Sequence, residues 1–154
     1  MANAVHVHPA QPSVGDILSG VEAGPRERFL GLCRTLRSWP EVAEGTYYHV
    51  GEWSPVYVVR GQQLLHVHFH KPHLISVSLP ISGRLGEAAL AEPGVVPAMR
   101  RRIEREWRAG EAYVEFRVNS EDDRRSIEAA ARAIHRQFAG ERGDQPAHDP
   151  SRAT

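Results

Sequence analysis

Lysine is almost missing from this chain: Lys71 is the only one, so arginine supplies 18 of the 19 basic residues. Arginine can grip phosphate with two hydrogen bonds, but an excess spread over the whole chain reflects arginine-rich coding and carries no function of its own. Cysteine is equally scarce, and the single Cys33 excludes an internal disulfide. Net charge is absent too, with 19 acidic residues against 19 basic ones. Such a chain has no overall field to collect polyanions, which argues against nucleic acid as a partner. No apolar run approaches the ~18 residues needed to span a bilayer, so no membrane segment is expected. Met1–Pro9 lacks the basic and apolar regions of a signal peptide, and the expected location is the cytoplasm. The sequence also holds no Walker loop, no dinucleotide glycine fingerprint, no Gly-x-Ser-x-Gly elbow and no paired Cys-x-x-Cys.

What remains is an ordinary globular composition, 41% hydrophobic and 25% charged over 154 residues, enough for one domain with one core. Residues 1–21 are rich in proline and glycine and read as a flexible tail with one short apolar patch at Val14–Leu18. Residues 141–154 read as a disordered tail. The domain is expected at 22–140. Phe29, Leu32, Cys33 and Leu36 recur at helical spacing over Pro25–Trp39, and Pro40 stops that helix. Ser120 suits an N-cap, with a stripe of Ile127, Ala130, Ala131, Ile134 and Phe138 behind it. Shorter helices are expected at Arg84–Ala91 and Ala98–Arg108. Between the long helices the period becomes two: Val56–Val59, Leu64–His70 and Leu74–Leu79 form a meander, Tyr113–Val118 a further strand, and Tyr47–Val50 an edge. The fold class is α+β, an antiparallel meander sheet of four to five strands with helices on one face.

Register then points to a site. A turn at Gly61-Gln62 pairs Arg60 with Gln63, Val58 with Leu65 and Tyr57 with His66. A loop at Lys71-Pro72-His73 pairs His70 with Leu74, His68 with Ser76 and His66 with Ser78. Val56, Val58, Leu65, Val67, Phe69, Ile75, Val77 and Leu79 then face the core. Tyr57, Val59, His66, His68, His70, Ser76 and Ser78 share the other face, extended by Tyr113, Glu115 and Arg117. Three readings stay open for the histidines. They could be the polar half of an amphipathic strand. They could be a metal site, since His-x-His sets two imidazoles about 6.6 Å apart at Cα on one face. His66 and His70 lie roughly 13 Å apart, so a third ligand must come from Glu115, His49 or His73. Or they could line a metal-free pocket, with imidazoles and Tyr57 as acid, base and donors. Cys33 reads as inert core. The run Arg100–Arg108 reads as a solvated helix with internal Glu–Arg pairs anchored by Ile103 and Trp107, with phosphate contact as the alternative.

The segment Gly61-Gln62-Gln63-Leu64-Leu65-His66-Val67-His68 resembles the luciferase-like domain family, small bacterial proteins related to the luciferase of bioluminescent fungi. Leu74–Pro80, Arg84–Ala91, Ala112–Val118 and Ser120-Glu121-Asp122-Asp123 continue the resemblance, which covers Phe29–Phe138. The chain departs from the family at Phe69-His70-Lys71-Pro72-His73, where a glycine/aspartate loop is usual, and in an arginine-rich insertion between Pro93 and Gly110. The resemblance implies an α+β fold and an oxygenase-like reaction on a small hydroxylated substrate without metal or flavin. On that basis the expected function is small-molecule binding on the non-core sheet face, with no cofactor. His66 or His68 would be the general base, Tyr57 and Ser76 orienting donors, Arg84 an anion anchor, and Ser78, His70 and Tyr113 further contacts. The alternatives are a zinc-type metal protein using His66 and His68, and a non-catalytic adaptor presenting the arginine-rich helix.

Overall fold

Arg60 and Gly61 both take left-handed backbone, φ 50° and 77°, the pair of conformations a tight type I′ hairpin turn requires. They join β2 (Glu52–Val59) to β3 (Gln62–His70), and the ladder closes directly on them with Val59 opposite Gln62. The structure is a computed structural model that describes residues 10–49, 51–70 and 72–140. β1 (Val42–His49) precedes this hairpin; β4 (Leu74–Pro80) and β5 (Tyr113–Arg117) follow it. All five strands form one antiparallel sheet in the order β1-β2-β3-β4-β5.

The helices are α1 (Val14–Leu18), α2 (Ala23–Arg37), α3 (Arg84–Ala91), α4 (Pro97–Arg108) and α5 (Glu121–Gly140). α2 and α5 pack on one sheet face, α4 lies against β5, and α3 fills in against α4 and α5. This is the α+β class expected from the period-two strands. Leu65, Val67, Ile75, Val77, Val114 and Phe116 form the sheet side of the core, and Ile127, Ala130, Ala131, Ile134 and Phe138 form the α5 side. The Ser120 hydroxyl accepts the Asp123 N–H at 3.1 Å, which starts α5 as its sequence suggests.

Two expectations change. The β2–β3 turn sits one residue earlier than Gly61-Gln62, and a bulge follows: Val58 pairs with Gln63 but Tyr57 with Leu65. β2 is therefore flipped relative to the expected register, because a shift of one residue exchanges the faces of a strand. Tyr57 and Val59 are fully buried, while Val56 and Val58 lie on the opposite face, half-buried. The second change concerns residues 10–21, which are not a tail. Ser13 and Asp16 form a reciprocal capping box, and Val14, Ile17, Leu18 and Val21 are buried in the core. The remaining tail segments, 1–9 and 141–154, lie outside the described residues. α2 begins and ends two residues before Pro25 and Trp39. No helix among the described residues is long and apolar enough to cross a membrane.

Arg60 ties the hairpin to the helical layer. Its guanidinium donates to the carbonyls of Phe138 at 3.2 Å and Ala139 at 3.1 Å, at the α5 C-terminus, and to Glu41 at 2.6 Å. Cations are favoured where helix carbonyls lack partners. Phe116 on β5 and Ile134 on α5 are both buried in the core. Truncating either to alanine is expected to cost about 2–5 kcal/mol in chemical denaturation; a loss below about 1 kcal/mol would mean that the site is not packed core.

Candidate functional site

The β3–β4–β5 pairing holds as expected. His66 lies opposite Ser78, His68 opposite Ser76 and His70 opposite Leu74, while Ser76 pairs with Arg117, Ser78 with Glu115 and Pro80 with Tyr113. These residues share the sheet face that carries no helix among the described residues. β1 adds two groups the strand pattern did not single out as one cluster, Tyr47 and His49. Tyr47 meets His66 edge-on at 5.5 Å between ring centroids and stacks on His49 at 5.8 Å. His66 and His68 are 4.2 Å apart, His68 and His70 6.4 Å. An aromatic row therefore crosses the sheet from β1 into β3.

His66 is the unusual member. It is only 8% exposed, and its Nε2 has no hydrogen-bond partner among the described residues. Burial, then the nearby His68 and His49, push its pKa down to about 4, against a weaker opposing pull from Glu115. A neutral imidazole of that basicity is a poor general base at neutral pH but keeps a lone pair for a hydrogen-bond donor or a metal.

Ser76 and His70 face a different environment. The Ser76 hydroxyl donates to Glu115 Oε1, and His70 Nε2 meets Ser76 Oγ at 3.0 Å and Glu115 Oε1 at 3.6 Å. Ser76 is 1% exposed. A nucleophilic serine needs its hydroxyl aimed at the imidazole and its oxygen open to substrate; here the hydroxyl donates to the carboxylate and the oxygen is enclosed. The Ser76 bond, with His68 and His70 close by, holds Glu115 below the usual carboxylate range.

Tyr57 and Arg84 are not part of this face. Tyr57 sits on the core side of β2 and donates to Glu44 Oε2 at 2.8 Å, so the Cys33 thiol, 2.8 Å away, is left as donor to the phenol oxygen. Arg37 closes the chain with two 2.8 Å bonds to Glu44. Burial raises the phenol pKa far above its ordinary value and raises the Cys33 thiol to about 11. Both stay protonated, so Tyr57 cannot orient a ligand as expected. The reason is the one-residue turn shift together with the bulge. Arg84 opens α3 in the helical layer, on the far side of the sheet from the histidines. Tyr113, 50% exposed, and half-buried Ser78 do lie on the histidine face.

No group of three His, Cys, Asp or Glu converges to hold a metal ion among the described residues. Glu115 is engaged by Ser76, and His73 pairs with Glu22 at 2.8 Å. The expected third ligand is therefore not in place, and a metal would find two imidazoles. The arginine-rich α4 is also largely committed. Arg100 donates to the carbonyls of Leu90, Glu92 and Val95, Arg108 pairs with Glu104, and Arg102 covers the Phe116 ring at 5.4 Å. These contacts favour the solvated-helix reading over an adaptor surface.

A cleft of about 570 Å³ opens where the histidine strand ends, lined by Pro12, Asp16, Ile17, Glu52, Trp53, Phe69 and His70. One wall is α1 with the residues leading into it; the other is formed by the start of β2 and the end of β3. Its size suits a small organic ligand. Trp53 is held against Tyr48 at 5.3 Å and Phe69 against Phe29 at 5.1 Å. The Trp53 indole N–H is buried with no partner among the described residues. The backbone and hydroxyl of Ser13 keep the Asp16 carboxyl below its ordinary pKa. Of the expected site residues only His70 reaches this cleft. The proline and glycine content of residues 1–21 masks the wall that α1 supplies, although Ser13-x-x-Asp16 before Ile17-Leu18 carries the signature of a helix start.

Comparison of the chain with protein-family models, with curated proteins and with solved structures finds no match. The resemblance at Gly61–His68 accordingly rests on the residues themselves.

The depressed His66 pKa has a direct consequence for stability. In the unfolded chain this imidazole titrates near 6.5, and in the fold near 4. Between those values the unfolded state takes up the proton first, so stability falls as pH drops from about 6.5 toward 4. The expected loss is about 1–3 kcal/mol, and His66→Gln should flatten that part of the profile in denaturation measured across the range. Equal slopes in the two proteins would mean that His66 is not desolvated.

Proposed function

We propose that this chain is a small-molecule-binding protein and that its ligand occupies the cleft between α1 and the ends of β2 and β3. The observation that carries the reading is a cavity of about 570 Å³ whose walls combine the Trp53 and Phe69 rings with the Asp16 and Glu52 carboxylates and the His70 imidazole. Apolar walls with a few convergent polar groups are the usual make-up of ligand sites. His70 links the cleft to the histidine face through Ser76 and Glu115, so a ligand seated there lies next to the row of imidazoles. The test is a fragment screen followed by the three indole N–H resonances in NMR. Binding should move the Trp53 signal and leave that of Trp107, which donates to Gly83 at 3.0 Å, in place. Hits that move neither Trp53 nor His70 would place ligand binding elsewhere and remove the proposal.

A second reading is favoured by the His66 Nε2 without a partner and the 4.2 Å spacing of the His66 and His68 rings. Two imidazoles this close can hold a borderline ion such as zinc, with solvent or a ligand filling the other positions. Zinc titration by calorimetry tests it. Uptake at one site that disappears in the His66→Gln/His68→Gln double variant supports it, and identical isotherms for the two proteins rule it out.

A further inference from the structure

The first strand is an edge that nothing on it protects. β2 is its only strand neighbour among the described residues, and the ladder between them runs regularly from Val42–Val59 to His49–Glu52. A long, regular edge invites a further strand, and chains usually prevent that with proline, lysine, a bulge or an inward charge. β1 contains no proline, lysine or arginine and no bulge. Its one carboxylate, Glu44, is bound by Arg37 and Tyr57. The opposite edge, β5, is only five residues long and carries Glu115 and Arg117. Tyr47 and Tyr48, two of the four large exposed apolar side chains among the described residues, both stand on β1.

Gly45 is a second, independent observation. It lies mid-strand without a positive φ, and a Cβ there would meet Val56 at 3.7 Å, an ordinary contact. Neither backbone conformation nor crowding within the described residues therefore calls for glycine. A glycine inside a strand marks a bulge, a bend or the close approach of another backbone, and this ladder has no bulge.

The strand's own pattern identifies the approaching backbone. A two-fold axis perpendicular to a sheet keeps each face on its own side, so odd residues of β1 meet odd residues of a second copy. The histidine face of β1 carries Ala43, Gly45, Tyr47 and His49, two small residues followed by two rings. Antiparallel pairing centred on Thr46 sets Ala43 opposite the partner's His49 and Gly45 opposite the partner's Tyr47. Each ring then stands beside a residue with little or no side chain. On the other face Glu44 meets the partner's Tyr48, a carboxylate beside a phenol. The two Glu44 carboxylates stay roughly 14 Å apart along the strands, whereas centring on Gly45 would bring them to about 7–8 Å. Centring on Tyr47 would pair little more than half of the strand.

We propose that β1 pairs antiparallel with β1 of a second copy about Thr46, joining two five-stranded sheets into one. The contact is a strip about 24 Å long and one sheet thick, smaller than the roughly 800 Å² per partner of a standard interface. The dimer is therefore weak, with a Kd on the order of 100 μM. Gln11 and Pro12 meet β1 at the Thr46 hydroxyl, a side-chain contact that leaves the pairing direction open.

Sedimentation equilibrium of the full chain between about 10 μM and 1 mM, with amide exchange at both ends of the range, tests this. The average mass should climb from one chain toward two, and amides of β1 should exchange several-fold more slowly at the high concentration while those of β5 do not change. Gly45→Lys and Gly45→Glu have room for their side chains in the single chain. Each sets like charges about 7–8 Å apart across the axis, so each alone should stay monomeric and an equal mixture of the two should pair. A mass of one chain throughout overturns the proposal, as do single variants that dimerise like the parent. A mixture that stays monomeric removes the Thr46 register. Protection of β1 that is independent of concentration would show that a segment of the same chain covers the edge. A dimer whose β1 amides do not respond would place the contact on another surface. Either result refutes pairing through β1.

Discussion

The Arg60 side chain holds two otherwise unfavourable backbone conformations in place, and much of the structure depends on it. Arg60 and Glu41 are the only non-glycine residues with positive φ among the described residues, and they pair with each other at 2.6 Å. Left-handed backbone costs a non-glycine residue roughly 1–2 kcal/mol, offset here by the ion pair and by the bonds to the α5 carbonyls. With Arg60 fixed at the turn, Val59 must face Gln62. The bulge then directs Tyr57 inward, where it meets Cys33 on α2 and Glu44 on β1. One guanidinium thus joins the central hairpin to the last helix, and the register it sets joins that hairpin to the first long helix.

Much of this order was legible in the sequence. Alternation in Leu64–His70 and Leu74–Leu79 is strong enough to define both the β3–β4 register and the two faces, because three residues close that loop and His70 meets Leu74. The stripe of α5 is equally plain. The β2–β3 turn was harder to read. Arginine has little intrinsic preference for left-handed backbone, so Gly61-Gln62 looks like the better turn. What selects Arg60-Gly61 is a contact with residues some 80 positions away, invisible to a local reading. Local alternation therefore puts Tyr57 on the wrong face. α1 escaped for a different reason: five residues are too few to show a helical period, and their burial depends on β2. The histidine face was half legible, since the strand pattern finds His66, His68 and His70 but not that Tyr47 and His49 reach them from β1.

The two chemical neighbourhoods of the sheet differ in what surrounds their ionisable groups. On the histidine face, His66 is enclosed by other rings and stays neutral. At the sheet's end the carboxylates of Asp16 and Glu52 stand beside Trp53 and Phe69. His70 belongs to both, and through Ser76 it also touches Glu115 on the far edge strand. β3 in this way runs from an imidazole kept neutral by its enclosure, His66, to one hydrogen-bonded within reach of a carboxylate, His70.

The enclosed thiol has a use beyond its packing role. Cys33 is the only cysteine in the chain, is fully buried and holds its proton tightly. A thiol reagent can reach it only when α2 lifts from β2, so the labelling rate counts those openings and reports the free energy of that single seam. Nature has built a one-channel clock into the contact between the first long helix and the sheet, readable with no change to the sequence.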